Sequence, residues 1–314
     1  MNASIAKLRY HGVGGSLFGL VIVNTLLTLI TLGIYSFWAK NKVREFHYSH
    51  TELDGDRFAY HGTGGELFSG ALKASGVMIV FTILLTVAQH IFPPSAQLGI
   101  AIGFYLAVFL LIPIAITGAR RYRLSRSSWR GIRFSFHGRW QEYLGLIARG
   151  TLLTIITLGF YGPRFQNERR AFFVRNARFG SEPFLYDGSG KELFGHYVKA
   201  VLLTIPTLGL CWIWYAAFKH RYFWQHTAMR GARFRSSVTG GDLFALHFTN
   251  GLLVLLTVGI ATPWAITRAH AFWCDTLTLR GTVDWATIEQ RAQAATATAE
   301  GLAEGFDVDI GLGG

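Results

Sequence analysis

The sequence predicts a mainly α, integral membrane protein with about six membrane helices in five pseudo-repeats of about 50 residues. Three observations predict it. The 314 residues are 51% hydrophobic and only 15% charged, with a mean hydropathy of +0.30; soluble domains of this size rarely combine those values. The apolar residues are gathered into blocks at 17–38, 67–91, 98–119, 143–161, 193–218 and 243–266. Most are long enough as helix to cross a hydrocarbon core of about 30 Å, and helix is the form that satisfies its own backbone in lipid. Third, a short polar or acidic residue followed by an apolar pair recurs at Ser16, Glu66, Glu142, Glu192 and Asp242, at intervals of 50, 76, 50 and 50 residues. The longer interval holds a second apolar block, so the second unit carries two membrane helices. A period of this size marks duplicated supersecondary units.

Each unit reads the same way along the chain. Asp54-Gly55, Arg130-Gly131, Arg230-Gly231 and Arg280-Gly281 follow short alternating runs and signal hairpin turns, and Gly180-Ser181-Glu182-Pro183 is a looser version. Aromatics then alternate, as at Phe58 and Tyr60, Phe134 and Phe136, and Phe184 and Tyr186, the period of a half-buried strand. A glycine-rich turn follows at Gly12-Val13-Gly14-Gly15, Gly62-Thr63-Gly64-Gly65, Gly188-Ser189-Gly190 and Gly240-Gly241. It is not a phosphate loop. It lacks the Gly-Lys-Ser/Thr ending, and the acid that usually follows complements a helix dipole and repels phosphate.

The apolar helix then runs to Thr31-Leu32-Gly33, Thr157-Leu158-Gly159, Thr207-Leu208-Gly209 or Thr257-Val258-Gly259, which reads as a break, kink or C-cap. Aromatics suited to the headgroup level come next, among them Tyr35, Trp38, Tyr161, Trp212, Trp214 and Trp264. A basic, aromatic helix closes the unit, with Lys40, Lys42 and Arg44 in the first, Arg120, Arg121 and Arg123 in the second, Arg164, Arg169, Arg170 and Arg175 in the third, and Lys219 and Arg221 in the fourth. It is expected to lie along the interface.

Two stretches carry a family resemblance. One is Phe-x-Tyr-x-Gly-x-Gly-Gly-Glu-Leu-Phe at 58–68. The other is Leu-Leu-Thr-x-x-Thr-Leu-Gly-Ile-Tyr-x-Phe-Trp at 26–38. With the acidic ending at 304–309 they make the chain resemble the YjgN-like bacterial inner-membrane family, whose function is unknown. The resemblance covers nearly the whole chain. It implies a multi-pass protein of the bacterial inner membrane and no particular activity. The departures are local: the second unit lacks the Thr-Leu-Gly break, and the third has Arg139-Trp140-Gln141 where others pair glycines.

The net charge of +12 is expected to meet anionic lipid headgroups rather than nucleic acid, because the basic stretches directly follow apolar blocks. Orientation is less direct. If every block spans, 16 Lys and Arg fall on one side and 11 on the other, a blunter bias than the positive-inside rule expects. Blocks that turn back at Thr-Leu-Gly would instead put all five strand–turn elements on one side, where they could share a sheet. Spanning helices are the expectation carried forward.

Candidate residues for a polar or anion path are Lys73, Arg149 and Lys199, seven residues past the opening acid in three units, with Asn24 and Asn250 at the next position in the other two. Snorkelling cations and interhelical amide bonds are the structural alternatives. Pro113 and Pro206 are expected to kink their helices. No enzyme motif is present. Neither the two cysteines nor the eleven histidines complete a ligand set, so no metal and no cofactor is expected. Two functions follow: a transporter or channel for a small anionic solute, or a membrane scaffold that binds lipid. Residues 1–285 form the membrane domain and 286–314 a soluble acidic tail, with a short helix through 286–303 and a docking strand at 306–310.

Overall fold

The computed structural model describes residues 5–290; the tail helix and docking strand expected beyond that lie mostly outside it. The chain is mostly helical and builds one antiparallel sheet. Its first unit runs β1 (Ile5–Tyr10), α1 (Gly14–Ile30), α2 (Ser36–Ser49) and β2 (Thr51–Leu53). The second runs β3 (Asp56–Tyr60), α3 (Gly64–Ile91), α4 (Gln97–Ser125) and β4 (Ser127–Trp129). The third is β5 (Ile132–Phe136), α5 (Trp140–Ile156), α6 (Gly162–Arg175) and β6 (Ala177–Phe179). The fourth opens on β7 (Glu182–Pro183) and β8 (Leu185–Tyr186) and continues through α7 (Lys191–Leu203), α8 (Cys211–Gln225) and β9 (Thr227–Met229). The fifth is β10 (Ala232–Ser236), α9 (Gly240–Leu256), α10 (Thr262–Asp275) and β11 (Leu277–Arg280).

The strand order is β7-β6-β5-β4-β3-β2-β1-β11-β10-β9-β8. The two ends of that order, β7 and β8, are separated only by Phe184, whose N–H donates to the Ala177 carbonyl at 3.1 Å. The sheet therefore closes on itself as a barrel-like ring. Connections at one end are tight turns. Asp54 and Gly55, Arg130 and Gly131, and Arg230 and Gly231 all have positive φ, as the hairpin turn matched to strand twist requires. Connections at the other end are pairs of helices. β1 and β11 close the seam, with Ala6 opposite Leu279.

The interior of the ring is apolar. Across paired strands Leu8 faces Leu53, Phe58 faces Trp129, Phe134 faces Phe179 and Phe234 faces Leu279. Leu53, Trp129, Phe179 and Met229 share one core cluster with Ile288. The segment after β11 lies across the turn end. Trp285 meets Trp129 edge-on at 4.7 Å, the Ser181 N–H donates to the Glu289 carbonyl, and the Arg133 N–H donates to Gln290 Oε1. Residues 283–290 thus cap the ring.

The expectation of six membrane helices is corrected. Two helical stretches among the described residues, Gly64–Ile91 and Pro94–Ser125, are long and apolar enough to cross a membrane, while the apolar α1 and α9 have 17 residues each. At 1.5 Å per residue α3 reaches about 42 Å and the short helices about 25 Å. The error has a physical source. Blocks such as 17–38 and 143–161 merge an apolar helix, a reversal and the first turn of the returning helix. The chain turns back at Thr-Leu-Gly or Thr-Val-Gly in four units and around Pro94–Ala96 in the second, so the strands of every unit stay on one side. Pro206 sits in the reversal between α7 and α8, whereas Pro113 is inside α4.

Candidate functional site

The reversals between helices are the most unusual surface of the molecule. After α1, α5, α7 and α9 the residue before the glycine takes a left-handed conformation: Leu32 φ 49°, Leu158 49°, Leu208 50° and Val258 51°. The glycine N–H then reaches back five residues, as Gly33 to the Thr28 carbonyl at 2.7 Å and Gly209 to the Thr204 carbonyl at 2.8 Å. This is the Schellman ending of a helix, which normally puts glycine at the left-handed position. Here four large apolar residues stand there, at a cost of about 1–2 kcal/mol each. They are 94%, 89%, 92% and 91% exposed. Threonine completes each turn. Thr31 donates to the Leu27 carbonyl at 2.7 Å and accepts from the Tyr35 N–H at 2.9 Å. Thr157 and Thr257 repeat both bonds, and in the first tip the backbone N–H groups from Thr31 to Ser36 all find acceptors within the protein, which suits a site without water.

The tips crown a surface of exposed aliphatics, including Leu26, Leu29 and Ile30 on α1, Leu72 and Leu84 on α3, and Leu255 and Leu256 on α9. Between the first and fifth hairpins runs a groove of about 650 Å³, lined by Phe18, Ile22 and Leu26 opposite Val258, Ile260 and Ile266. Such a continuous apolar surface marks an interaction site.

The paired glycines at the helix starts are packing elements. A Cβ on Gly64 would lie 2.5 Å from the Trp38 ring, and Gly14 and Gly240 lie equally close under Trp264 and Trp214. Each tryptophan comes from the returning helix of the preceding unit. Thr63 and Thr239 cap α3 and α9 in reciprocal boxes with Glu66 and Asp242.

The five residues singled out from the sequence are not gathered together. Lys73, Arg149 and Lys199 lie on exposed faces of three different helices, α3, α5 and α7. Arg149 turns along its own hairpin to the Tyr161 hydroxyl at 3.3 Å and Glu168 at 3.5 Å. Asn24 is buried in α1. Asn250 donates from Nδ2 to the Ala265 carbonyl at 3.1 Å and so ties α9 to α10. The tip residues Leu32, Leu158, Leu208 and Val258 were read only as part of a break. Their signal was a large apolar residue before the glycine in all four.

The fold is a closed sheet with helical hairpins on one end, and one hairpin, α3 with α4, is long and apolar enough to cross a membrane. The chain belongs to the family described as "Bacterial protein of unknown function (DUF898)", whose model matches residues 6–213 and 201–305. Curated relatives include the Inner membrane protein YjgN of Escherichia coli O157:H7, 39% identical over 130 residues, and of Escherichia coli strain K12, 38% identical over 130. The YjgN of Salmonella typhimurium is 34% identical over 129 residues. The matches cover 41% of this chain and 30–31% of those relatives, so the chain aligns with about a third of their length. No solved structure matches.

Proposed function

We propose that this chain is a bacterial inner-membrane protein that seats its helical hairpins in lipid and binds lipid, anionic headgroups included, without conducting a solute along its axis. The observation that carries this reading is the set of four left-handed, almost fully exposed Leu and Val tips. Water offers nothing to offset their strain, whereas hydrocarbon does, at roughly 25 cal/mol per Å² of apolar surface buried. The relatives' printed name supports the inner membrane. The transport reading needs Lys73, Arg149 and Lys199 on one path; their positions on three outer faces favour headgroup contact instead. An apolar, capped ring interior also argues against axial passage. With all the returning basic helices on the ring side, the positive-inside rule sets the ring in the cytoplasm.

The test places a fluorophore, through single cysteines, at 32, 158, 208 and 258 and at the turn residue 54, in protein reconstituted into vesicles. Phospholipids brominated on their acyl chains should quench the four tips and leave position 54 unquenched. In spheroplasts an impermeant thiol reagent should label none of the five. Free labelling of the tips, or no quenching there, overturns the insertion; labelling at 54 overturns the orientation.

A further inference from the structure

Each unit carries a cation at one place on the outside of its hairpin. Lys73 in α3, Arg149 in α5 and Lys199 in α7 hold the same position of the outgoing helix. In units one and five that position is Val23 or Thr249, and the cation is on the returning helix, as Lys42 in α2 and Arg268 in α10. The two positions face each other across the hairpin. Arg268 Nη2 donates to Thr249 Oγ1 at 3.1 Å. Arg149 Nη2 lies 3.5 Å from Oε1 of Glu168, which takes in unit three the place of Lys42 and Arg268. Glu168 also meets Arg164 Nε at 3.2 Å, so the third unit keeps one net positive charge there. Lys42, Lys73, Arg149, Lys199 and Arg268 are all exposed. Among the described residues no carboxylate pairs with Lys42, Lys73, Lys199 or Arg268.

Beyond this belt, charge stops. Residues 24–39, 74–119, 150–163, 200–218 and 250–267 contain no Asp, Glu, Lys or Arg. An exposed cation at the foot of an uncharged, apolar hairpin is placed to lay its stem on apolar surface and its head among lipid phosphates. The lengths agree with that placement. From Lys199 to the tip residue Leu208 is nine residues, about 14 Å of helix rise, or about half of a 30 Å hydrocarbon core. Arg149 and Leu158 are equally far apart. From Lys73 to Ile91, the end of α3, is eighteen residues, about 27 Å and close to the whole core.

We propose that these five cations form a belt that binds the phosphate groups of anionic phospholipids in the cytoplasmic leaflet. The belt fixes the depth of the molecule. The hairpins of units one, three, four and five end inside the cytoplasmic leaflet, and only α3–α4 crosses, with its turn at Pro93-Pro94-Ser95 in the periplasm. The protein thus gathers anionic lipid around itself on one side of the membrane. The belt presupposes the insertion and orientation proposed above, and adds to them the lipid class and the leaflet.

Two variants of the full-length protein with equal charge loss test it. The belt variant combines Lys42→Gln, Lys73→Gln, Lys199→Gln and Arg268→Gln. The ring variant combines Arg9→Gln, Arg57→Gln, Arg235→Gln and Arg280→Gln, all exposed on strands. Each is incubated in maltoside detergent with equal amounts of phosphatidylglycerol and phosphatidylcholine, and retained lipids are counted by native mass spectrometry. Wild type and the ring variant should favour phosphatidylglycerol by about fivefold or more; the belt variant should retain the two lipids alike. If the belt variant fails to fold, Lys73→Gln with Lys199→Gln should still lower the preference by about twofold or more. In spheroplasts an impermeant thiol reagent should label Ser95→Cys and leave Leu208→Cys and Val258→Cys unlabelled. No lipid preference in wild type, a preference kept by the belt variant, an equal loss in the ring variant, or protection of position 95 overturns the belt. Any of these with tips still quenched by brominated acyl chains leaves the insertion standing, whereas unquenched tips overturn the insertion itself.

Discussion

At the scale of single residues the sharpest contrast is within one glycine pair. A Cβ on Gly64 would lie 2.5 Å from the Trp38 ring and 2.7 Å from the Trp38 Cα, a backbone atom that cannot turn aside; a Cβ on Gly65 meets nothing within 4 Å. Gly64→Ala should therefore destabilise the fold by about 1–3 kcal/mol through overpacking. Gly65→Ala should be neutral or stabilising by up to about 1 kcal/mol, since alanine favours helix. Thermal unfolding of the two variants in detergent checks this, and equal effects would refute the stacking account. The same contact explains the third unit. Trp140 stands where the others have glycine, and the preceding returning helix offers Ile114 instead of tryptophan. The departure was legible in the sequence. Its cause was not, because the partner belongs to the neighbouring unit.

At the scale of the element, the hairpin tip stores strain in a defined place. Leu208→Gly and Val258→Gly should raise the melting temperature in detergent, since glycine takes a left-handed φ without the Cβ penalty. The valine site should gain more, being β-branched. A fall in melting temperature at both sites would contradict the strain. The hairpin also shows what a sequence conceals about direction. Thr-Leu-Gly announced the end of a helix but not whether the chain went on or turned back. That choice lies in the left-handed turn and in the Thr31 hydroxyl bridging to the Tyr35 N–H, both of which need the returning helix already docked. Apolar residues on every side of α3 and α9 left no periodic stripe to reveal a partner. By contrast, the hairpin turns at Asp54-Gly55, Arg130-Gly131 and Arg230-Gly231 were legible, because glycine takes the second of two positive φ angles without penalty and short alternating runs flank it.

At the scale of the whole molecule, the seam between the last unit and the first is held partly by histidine. His47 stacks on His270, and its Nδ1 lies 2.8 Å from the Tyr10 hydroxyl. Burial, then the neighbouring His270 and His50, hold His47 down to about 4, and burial lowers His270 as well. His220, at the junction of units four and five, is also lowered to about 4, by burial and then by Arg170, Arg221 and Lys219. These imidazoles are neutral when folded and titrate near 6.5 when unfolded, so the unfolded chain binds more protons between those values. Stability should be full above about pH 6.5 and fall as the pH drops toward 4. The melting temperature in detergent at pH 7 and 4.5 measures it, with His47→Phe and His220→Phe expected to flatten the profile. A wild-type melting temperature constant across that window would refute it. Arg44, Arg120 and Arg170 were visible as members of basic helices, but which face points inward is decided only when five units close around an axis.

The pairing of β1 with β11 sets an order of events during synthesis. β1 is made before the rest of the sheet, and its second partner about 270 residues later, a delay of about 14–55 s at bacterial rates of 5–20 residues per second. Throughout that interval the growing arc has two raw edges, each a template for strands from another ribosome's product. The hairpins of the early units meanwhile have every reason to enter lipid at once. If the tips insert as proposed, insertion precedes closure and the membrane acts as a jig: it holds the arc by its tips, spaces nascent copies apart, and keeps the first edge waiting for the last strand of its own chain.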